Sequence, residues 1–465
     1  MSIRLVAAAA IAVACSGGTA HARNNEPLEQ ARAAARADRN AEAAKLFAGY
    51  LGAHPDERRA ILREFADQLI YSGRADAAVP LLREVLTWEL SNDERLQAQR
   101  SYALALLWSD QHRQAIAAYD ALLAGSPGDE DATFNRIRGV QWLGRPDVAT
   151  QMLGQRPAEL RANPRAAEIE ADIRKSARPV TGATVGGFDQ ADGLDVRTWR
   201  LEQQLFTRSG AAWFAPYYQR SRFDQGSAGQ VTVDAPGIAG HSRVNDWLQM
   251  SGRAGLERHR GAGLRRSIGV YEASVALLPA DNLRLDFVTA RRSLDNLRSL
   301  QMGITTRHYF GSIDYWPDSL LKLTLRGEST HFADGNDRQW AQIEAERRLS
   351  REPHIFVGAR ATAFRFDEQF DHGYFNPKSF RSVALTARGS STIAQRTWVD
   401  LAGSAGPEDS TPGGTKLAYW LRGRLSHGLT ENVELSLAAE RLSSQGLSST
   451  GFARTSISGS IALKW

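Results

Sequence analysis

Arg284 and Asp286, Arg326 and Glu328, Glu344 and Glu346, and Arg422 and Arg424 are charges set two residues apart; Arg360, Arg388, Glu434 and Glu440 add single charges in similar surroundings. On an extended chain, alternate side chains point to opposite faces, so a spacing of two puts each pair on one face. The opposing residues are mostly apolar. Leu283, Leu285 and Phe287 oppose Arg284, Asp286 and Val288. Leu321, Leu323 and Leu325 oppose Lys322, Thr324, Arg326 and Glu328, and Ile355, Val357, Ala359, Ala361 and Ala363 oppose Gly358, Arg360 and Thr362. Guanidinium and carboxylate groups on such a face can hydrogen-bond hydroxyls, or pair with one another across the wall they stand on. Bond-breaking chemistry is another matter. The sequence holds no His-Glu-x-x-His, no Gly-rich phosphate loop ending in Lys-Ser/Thr and no Gly-x-Ser-x-Gly elbow. Asp371-His372, in the loop-like stretch Phe366–Pro377, has no evident nucleophile beside it. The chain is expected to be non-catalytic, without metal or cofactor.

Strands must carry these charges. Alternating segments of about ten residues recur through the C-terminal part, as in membrane barrels. Turn chemistry separates them at Pro279-Ala-Asp-Asn282, Ala333-Asp-Gly-Asn336 and Thr411-Pro-Gly-Gly414. Val433, Leu435, Leu437 and Ala439 alternate with Glu434, Ser436, Ala438 and Glu440. About fourteen to sixteen such strands fit a closed antiparallel transmembrane β-barrel. Arg284, Arg326, Glu328, Arg360, Arg422 and Arg424 would then line its lumen. Trp199, Trp213, Tyr217, Tyr218, Trp247, Tyr309, Tyr315, Trp316, Trp398, Tyr419 and Trp420 lie near strand ends, where interface girdles would place them. The final segment puts Thr455, Ile457, Gly459, Ile461, Leu463 and Trp465 on one face against Arg454, Ser456, Ser458, Ser460 and Lys464. A chain that stops on such a strand, with aromatic Trp465 last, resembles the insertion signal read by the outer-membrane barrel assembly machinery.

The region 23–175 has a different period. It is rich in Ala, Leu, Glu, Arg and Gln at helical spacing. Ala43, Phe47 and Pro55 recur as Ala115, Tyr119 and Pro127 at identical offsets, Ala77 and Leu81 stand one 34-residue period after the first pair, and Leu143 to Leu153 form a weaker copy. Small residues let antiparallel helices approach closely. The aromatics Tyr71, Trp108 and Trp142 are expected to fill the grooves between repeats. The pattern resembles the tetratricopeptide repeat.

Met1–Ala22 reads as a secretory signal, with Arg4, the apolar run Leu5–Ala14 and small residues at Ala20-His21-Ala22. Ala12-Val13-Ala14-Cys15 loosely resembles a lipidation box, and Cys15 is the single cysteine. Residues 176–188, with their Pro and Gly, read as a linker, and 189–465 as the barrel. No later stretch is apolar enough for a membrane helix. Net charge is +5 over 465 residues, and the mean hydropathy of −0.38 suits a barrel whose strands are half polar. Interspersed charges without a basic, aromatic-interleaved block argue against nucleic acid as a partner.

Leader, helical repeats and barrel in one chain resemble the outer-membrane exporters of exopolysaccharide: the poly-N-acetylglucosamine export porin, the outer-membrane subunit of cellulose synthase and bacteriophage N4 adsorption protein A. Gly373-Tyr374-Phe375-Asn376-Pro377 resembles a loop segment of those barrels. The Gly would permit a tight turn, Pro377 would end the loop, and the aromatics would pack at the rim. The resemblance implies a barrel in outer-membrane lipid that passes polysaccharide outward, as in biofilm export, with periplasmic repeats that dock periplasmic or inner-membrane synthase partners. A structural or receptor protein with a plugged barrel is the alternative, and a barrel enzyme a further one. The chain carries fewer repeats than those exporters, which leaves room for fewer partners.

Overall fold

The computed structural model describes residues 26–207, 209–261 and 263–465, so the leader, Cys15 and the start of the repeat region lie outside the described residues. Ten α-helices come first: α1 (Glu26–Arg36), α2 (Asn40–Ala53), α3 (Arg58–Tyr71), α4 (Ala75–Val85), α5 (Asn92–Trp108), α6 (His112–Gly125), α7 (Glu130–Trp142), α8 (Pro146–Gly154), α9 (Ala158–Arg161) and α10 (Pro164–Ser176). The chain divides into two compact units between Asp110 and Gln111, so α6–α10 cluster with the barrel.

In the first unit, Leu28, Ala31 and Ala34 of α1 close on Ala43, Phe47 and Tyr50 of α2 and Ile61 of α3. Leu62, Val85 and Ala98 join α3, α4 and α5. A capping box, Ser91 with Glu94, starts α5 and satisfies donors that the first turn leaves unpaired. In the second unit, Phe134, Ile137 and Val140 pack on Ala149, Met152, Leu153, Ala166, Ile169 and Ile173.

The spacing of the small residues differs from the sequence expectation. Ala77 and Leu81 are only half-buried, and the buried pair is Ala78 and Leu82. Ala43, Ala78, Ala115 and Ala149 each stand three residues after the first residue of their helix, with Phe47, Leu82, Tyr119 and Leu153 four later. All eight are buried. The period is kept by helix starts and not by a fixed count. Tyr71, Trp108 and Trp142 are not groove fillers: they are 53 %, 47 % and 45 % exposed. Tyr71 meets Trp108 edge-on at 6.0 Å, and Trp142 lies 5.9 Å from His112.

Sixteen strands follow: β1 (Val180–Gln190), β2 (Asp195–Phe206), β3 (Ala212–Asp224), β4 (Gln230–Arg243), β5 (Leu248–Gly261), β6 (Leu264–Ala280), β7 (Leu283–Ser293), β8 (Thr305–Tyr315), β9 (Leu321–Phe332), β10 (Asp337–Arg351), β11 (His354–Phe366), β12 (Ser379–Ala394), β13 (Thr397–Thr411), β14 (Gly414–Gly428), β15 (Val433–Leu442) and β16 (Arg454–Lys464). A short helix, α11 (Leu297–Met302), lies between β7 and β8. Each strand pairs antiparallel with its neighbours and β1 closes on β16. Closure leaves no sheet edge unpaired.

The stretch 180–188 is therefore strand and not linker; only 177–179 joins α10 to β1. Its glycines serve close approach. A side chain at Gly187 would place its Cβ 2.1 Å from the Val196 carbonyl oxygen. Following the register around the ring, Leu201, Ile343, Leu385, Leu401, Leu421, Leu437 and Ile457 share the outward face and are 51–74 % exposed, the apolar belt a membrane barrel presents to lipid. Trp199, Tyr309, Tyr315 and Tyr419 stand on this face, whereas Trp213, Tyr217, Trp398 and Trp420 fall on the inward one. The alternation that set the barrel thus assigned only part of the aromatic girdle correctly.

The two ends of the barrel differ. At the end where β1 begins and β16 finishes, no connection exceeds five residues; at the other, 294–304, 367–378 and 443–453 are long loops.

Candidate functional site

All six charges expected in the lumen fall on the inward register, but most are occupied. Arg284 donates two nitrogens to Asp286, at 2.7–3.1 Å. Arg326 stands 3.6 Å from Glu344. Glu328 accepts from Arg338, His308 and Thr330, which fixes it in the wall. Arg360 donates to Ser404 Oγ at 2.9 Å. These are wall-bracing contacts. Arg422 and Arg424 are different: they are exposed and make no ion pair among the described residues.

They line an inward cleft of about 350 Å³ with Phe356, Arg388, Asp400 and Trp420. Arg388 lies 3.8 Å above the Phe356 ring and is held there by Glu346 at 2.7 Å. The cleft sits near the end with short turns. The Trp420 ring and the Arg422 and Arg424 guanidinium groups line it beside the Arg388–Phe356 stack, which suits a ligand with a flat apolar face and many hydroxyl or anionic oxygens.

The helices of the second unit are fastened to that same end. The first-turn amides of Arg113 and Gln114 in α6 donate to the Asp281 carboxylate at 3.1–3.2 Å, and Asp281 sits in the β6–β7 turn. A carboxylate at a helix N-terminus meets both unpaired N–H groups and the positive end of the helix dipole. Arg145, held by Asp147, reaches Asp246 in the β4–β5 turn at 2.9 Å.

The opposite mouth is crossed by loops. Asn296 caps α11 by accepting from Ser299 N, and Gly303, at φ +74°, ends it in the left-handed region that glycine tolerates. Leu297 and Leu300 of α11 are buried against Val196, Phe223, Val231 and Val233 on the inward faces of β2–β4. Ser299 Oγ donates to the His372 carbonyl oxygen at 2.7 Å. Phe375 N donates to Ser449 O at 2.7 Å, and Ser449 and Arg454 both reach Asp295. Asp295 follows β7, and Ser449 precedes β16, half the ring away. These contacts tie opposite sides of the barrel together.

The Gly373–Pro377 motif lies at the centre of this closure. Gly373 adopts φ +88°, and a Cβ there would approach Asn296 Oδ1 to 2.5 Å. Tyr374 stacks on Phe332 at 4.6 Å; its hydroxyl donates to Asp334 Oδ2 and accepts from Asn336. Burial pushes the pKa of that phenol up, which keeps it a donor. Phe375 packs edge-on to Phe364 and Phe380, which stack on each other at 4.4 Å. Asn376 Nδ2 donates to Phe370 O. Ile304, Phe332, Phe364, Phe366, Tyr374 and Phe380 form one buried cluster, so the aromatics pack at the strand ends of this mouth, turned inward.

Asp371 and His372 do not act as a pair. Asp371 is bound to Arg298, and His372 Nδ1 lies 2.7 Å from Asp334 Oδ2. No serine, threonine or cysteine side chain is hydrogen-bonded to the His372 ring among the described residues. Trp465 donates its amide N–H to Pro179 O, just before β1, and its Nε1–H to Thr181 Oγ1 in β1. Nothing local in the sequence points to Asp295, Asn296 or Ser449, whereas Asp281, Asp334 and Asn336 lie inside turns recognised from their residues, without a sign of their partners.

No family model and no curated protein sequence match the chain. Among solved structures, one described as a bacterial polysaccharide outer membrane secretin is similar at a TM-score of 0.50 and 12% identity, over 62% of this chain and 99% of the other. The fold is that of an outer-membrane barrel. Pseudomonas aeruginosa OccK5 (OpdH) is more distant, at a TM-score of 0.35 and 11% identity over 61% and 96% of the two chains. CdiB from Acinetobacter baumannii gives 0.38 and 8% over 61% and 60%.

Proposed function

We propose that this chain is a non-catalytic outer-membrane conduit that passes an exopolysaccharide outward, its helical region lying in the periplasm and docking synthase or other envelope partners. The inward cleft carries this reading. Trp420 offers a ring to pyranose faces, and Arg422 and Arg424, which make no ion pair among the described residues, offer donors to sugar hydroxyls or acidic groups. The barrel's likeness to a polysaccharide secretin supports the same substrate class at the level of fold. The exposed Tyr71–Trp108 pair on the helical region belongs to the same proposal, as a surface on which a saccharide chain can stack. So does recognition of the strand ending in Trp465 by the barrel assembly machinery.

The crossed mouth favours a second reading, a plugged receptor or structural barrel. One experiment separates them. Surface polysaccharide is measured in a deletion strain complemented with wild type or with Arg422→Ala/Arg424→Ala, beside the yield of heat-modifiable barrel. A conduit predicts loss on deletion and a several-fold drop in the double variant at normal barrel yield. Unchanged polysaccharide in the deletion strain ends the conduit reading and leaves the receptor.

A further inference from the structure

The outward face is not apolar along its whole height. Towards the long-loop end, β2–β8 carry Arg197, Arg220, Arg222, Arg258, Arg260, Arg265, Arg291 and Arg307 on the face that holds Trp199, Leu201 and Ile238 lower down. Eight arginines face four aspartates there, Asp189, Asp195, Asp224 and Asp234, a surplus of four positive charges. Like charges stand directly opposite one another: Arg197 across from Arg222, Arg260 from Arg265 and Arg291 from Arg307. Cross-strand pairs of like charge are unfavourable in isolation. Arg197 pairs with Asp195 at 3.1 Å, Arg222 with Asp224 at 3.0 Å, and buried Asp234 draws in Arg220 and Arg260, whereas Arg258 and Arg265 have no partner among the described residues.

Beside these rows the barrel surface opens into a groove of about 700 Å³. Its upper part is lined by Arg197, Arg220 and Arg222 together with Asp189 and Asp195, its lower part by Val185, Trp199 and Ile457. Gly187 lines it between these parts, where β1 and β2 approach too closely for a side chain. Guanidinium forks above an apolar wall match a molecule with phosphate oxygens at one end and hydrocarbon at the other. From β2 to β6 the arginine rows span about 20 Å at roughly 4.8 Å per strand, wider than one phosphate needs.

We propose that this groove and its arginine rows bind the headgroup of a bisphosphorylated glycolipid in the leaflet at the long-loop end, with the acyl chains running down the wall past Val185 and Ile457. The proposal rests on the outer-membrane reading of the barrel. Charge complementarity and continuity with the apolar belt select a lipid over a soluble anion: a free phosphate would gain nothing from the lower wall.

The test uses the full-length protein purified in neutral detergent. Diphosphoryl lipid A, the same lipid stripped of phosphate, and phosphatidylglycerol are each titrated, and binding is followed by native mass spectrometry. Diphosphoryl lipid A is expected to bind best, and Arg197→Ala/Arg222→Ala to weaken it by about tenfold. Arg365→Ala/Arg381→Ala, outward arginines on β11 and β12 outside the groove, should change it less than twofold. Equal binding of the dephosphorylated lipid, equal binding of phosphatidylglycerol, or an unaffected Arg197/Arg222 variant overturns the proposal. The barrel reading is checked separately. Heat-modifiable migration without added lipid reports the barrel, and Ser227→Cys, in the β3–β4 loop, labelled by an impermeant maleimide on intact cells, reports which leaflet the arginines face.

Discussion

The two ends of the barrel are held by different physics. At the long-loop end, a buried aromatic cluster joins 294–304 to 367–378, and hydrogen bonds from Phe375 and to Asp295 bring in 443–453. At the other end, Asp281 and Asp246 hold α6 and Arg145 through charge and helix capping, on turns too short to reach inward. Packed apolar contacts are dense and rearrange as a unit, so a mouth closed in this way is either shut or open. Ion pairs and caps at a wet surface yield gradually and weaken with salt.

The largest effect should come from hollowing the aromatic cluster. Phe364 is buried between Phe380, Phe366 and Phe375. Phe364→Ala removes about 3–5 kcal/mol of packing, as such core truncations do. Combined with Tyr374→Ala, which also cuts the bonds to Asp334 and Asn336, it should release the loops. Single-channel conductance in planar bilayers is expected to rise in one step, at normal barrel yield. Wild-type conductance in this variant would mean that the loops do not close the mouth.

Between the two ends lies the belt that both depend on. Leu323 is on the outward face of β9, opposite Ala345 on β10 and Tyr315 on β8. Leu323→Arg should lower barrel yield, at less than the roughly 2–4 kcal/mol of a midplane position, because Leu323 is the third residue of β9. The outward arginines nearer the loop end, such as Arg307 on neighbouring β8, should be replaceable by Leu with little change in barrel yield. If both substitutions leave the heat-modifiable fraction unchanged, the belt has been placed at the wrong height.

How much of this could be read from the residues follows from where each signal resides. Alternation over single strands is local, so β7, β9, β11, β15 and β16 were legible and with them the closed barrel. β1 was not, because Gly182, Gly186 and Gly187 look like a flexible joint until the strands that crowd them are known. The repeat was legible in its small and aromatic residues, but Ala78 and Leu82 replaced Ala77 and Leu81 because loop length shifts the count between helices. The aromatic motif at Gly373–Pro377 was visible. Its partners were not: Asp295 and Ser449 are joined only by the fold. Nor does alternation distinguish an arginine facing lipid headgroups from one facing the lumen, since both interrupt an apolar row.

The smallest effect tests the charged end. Asp281 takes the place of a capping side chain for α6, which has none of its own from Gln111. Asp281→Asn keeps the shape and an acceptor oxygen but removes the charge that faces the helix dipole and the Arg113 side chain, 3.6 Å away. The loss should be about 1 kcal/mol, within the range for caps and helix-terminal charges. That corresponds to roughly fivefold faster exchange of the Arg113 and Gln114 amides. Raising salt on the wild type should produce part of the same acceleration, because the Arg145–Asp246 pair and the dipole term are both screened. The Phe364→Ala/Tyr374→Ala variant should leave these amides untouched, since its changes lie at the far mouth. Exchange that responds to the aromatic variant but not to salt or to Asp281→Asn would show that the two ends move together, and the contrast between them would fail.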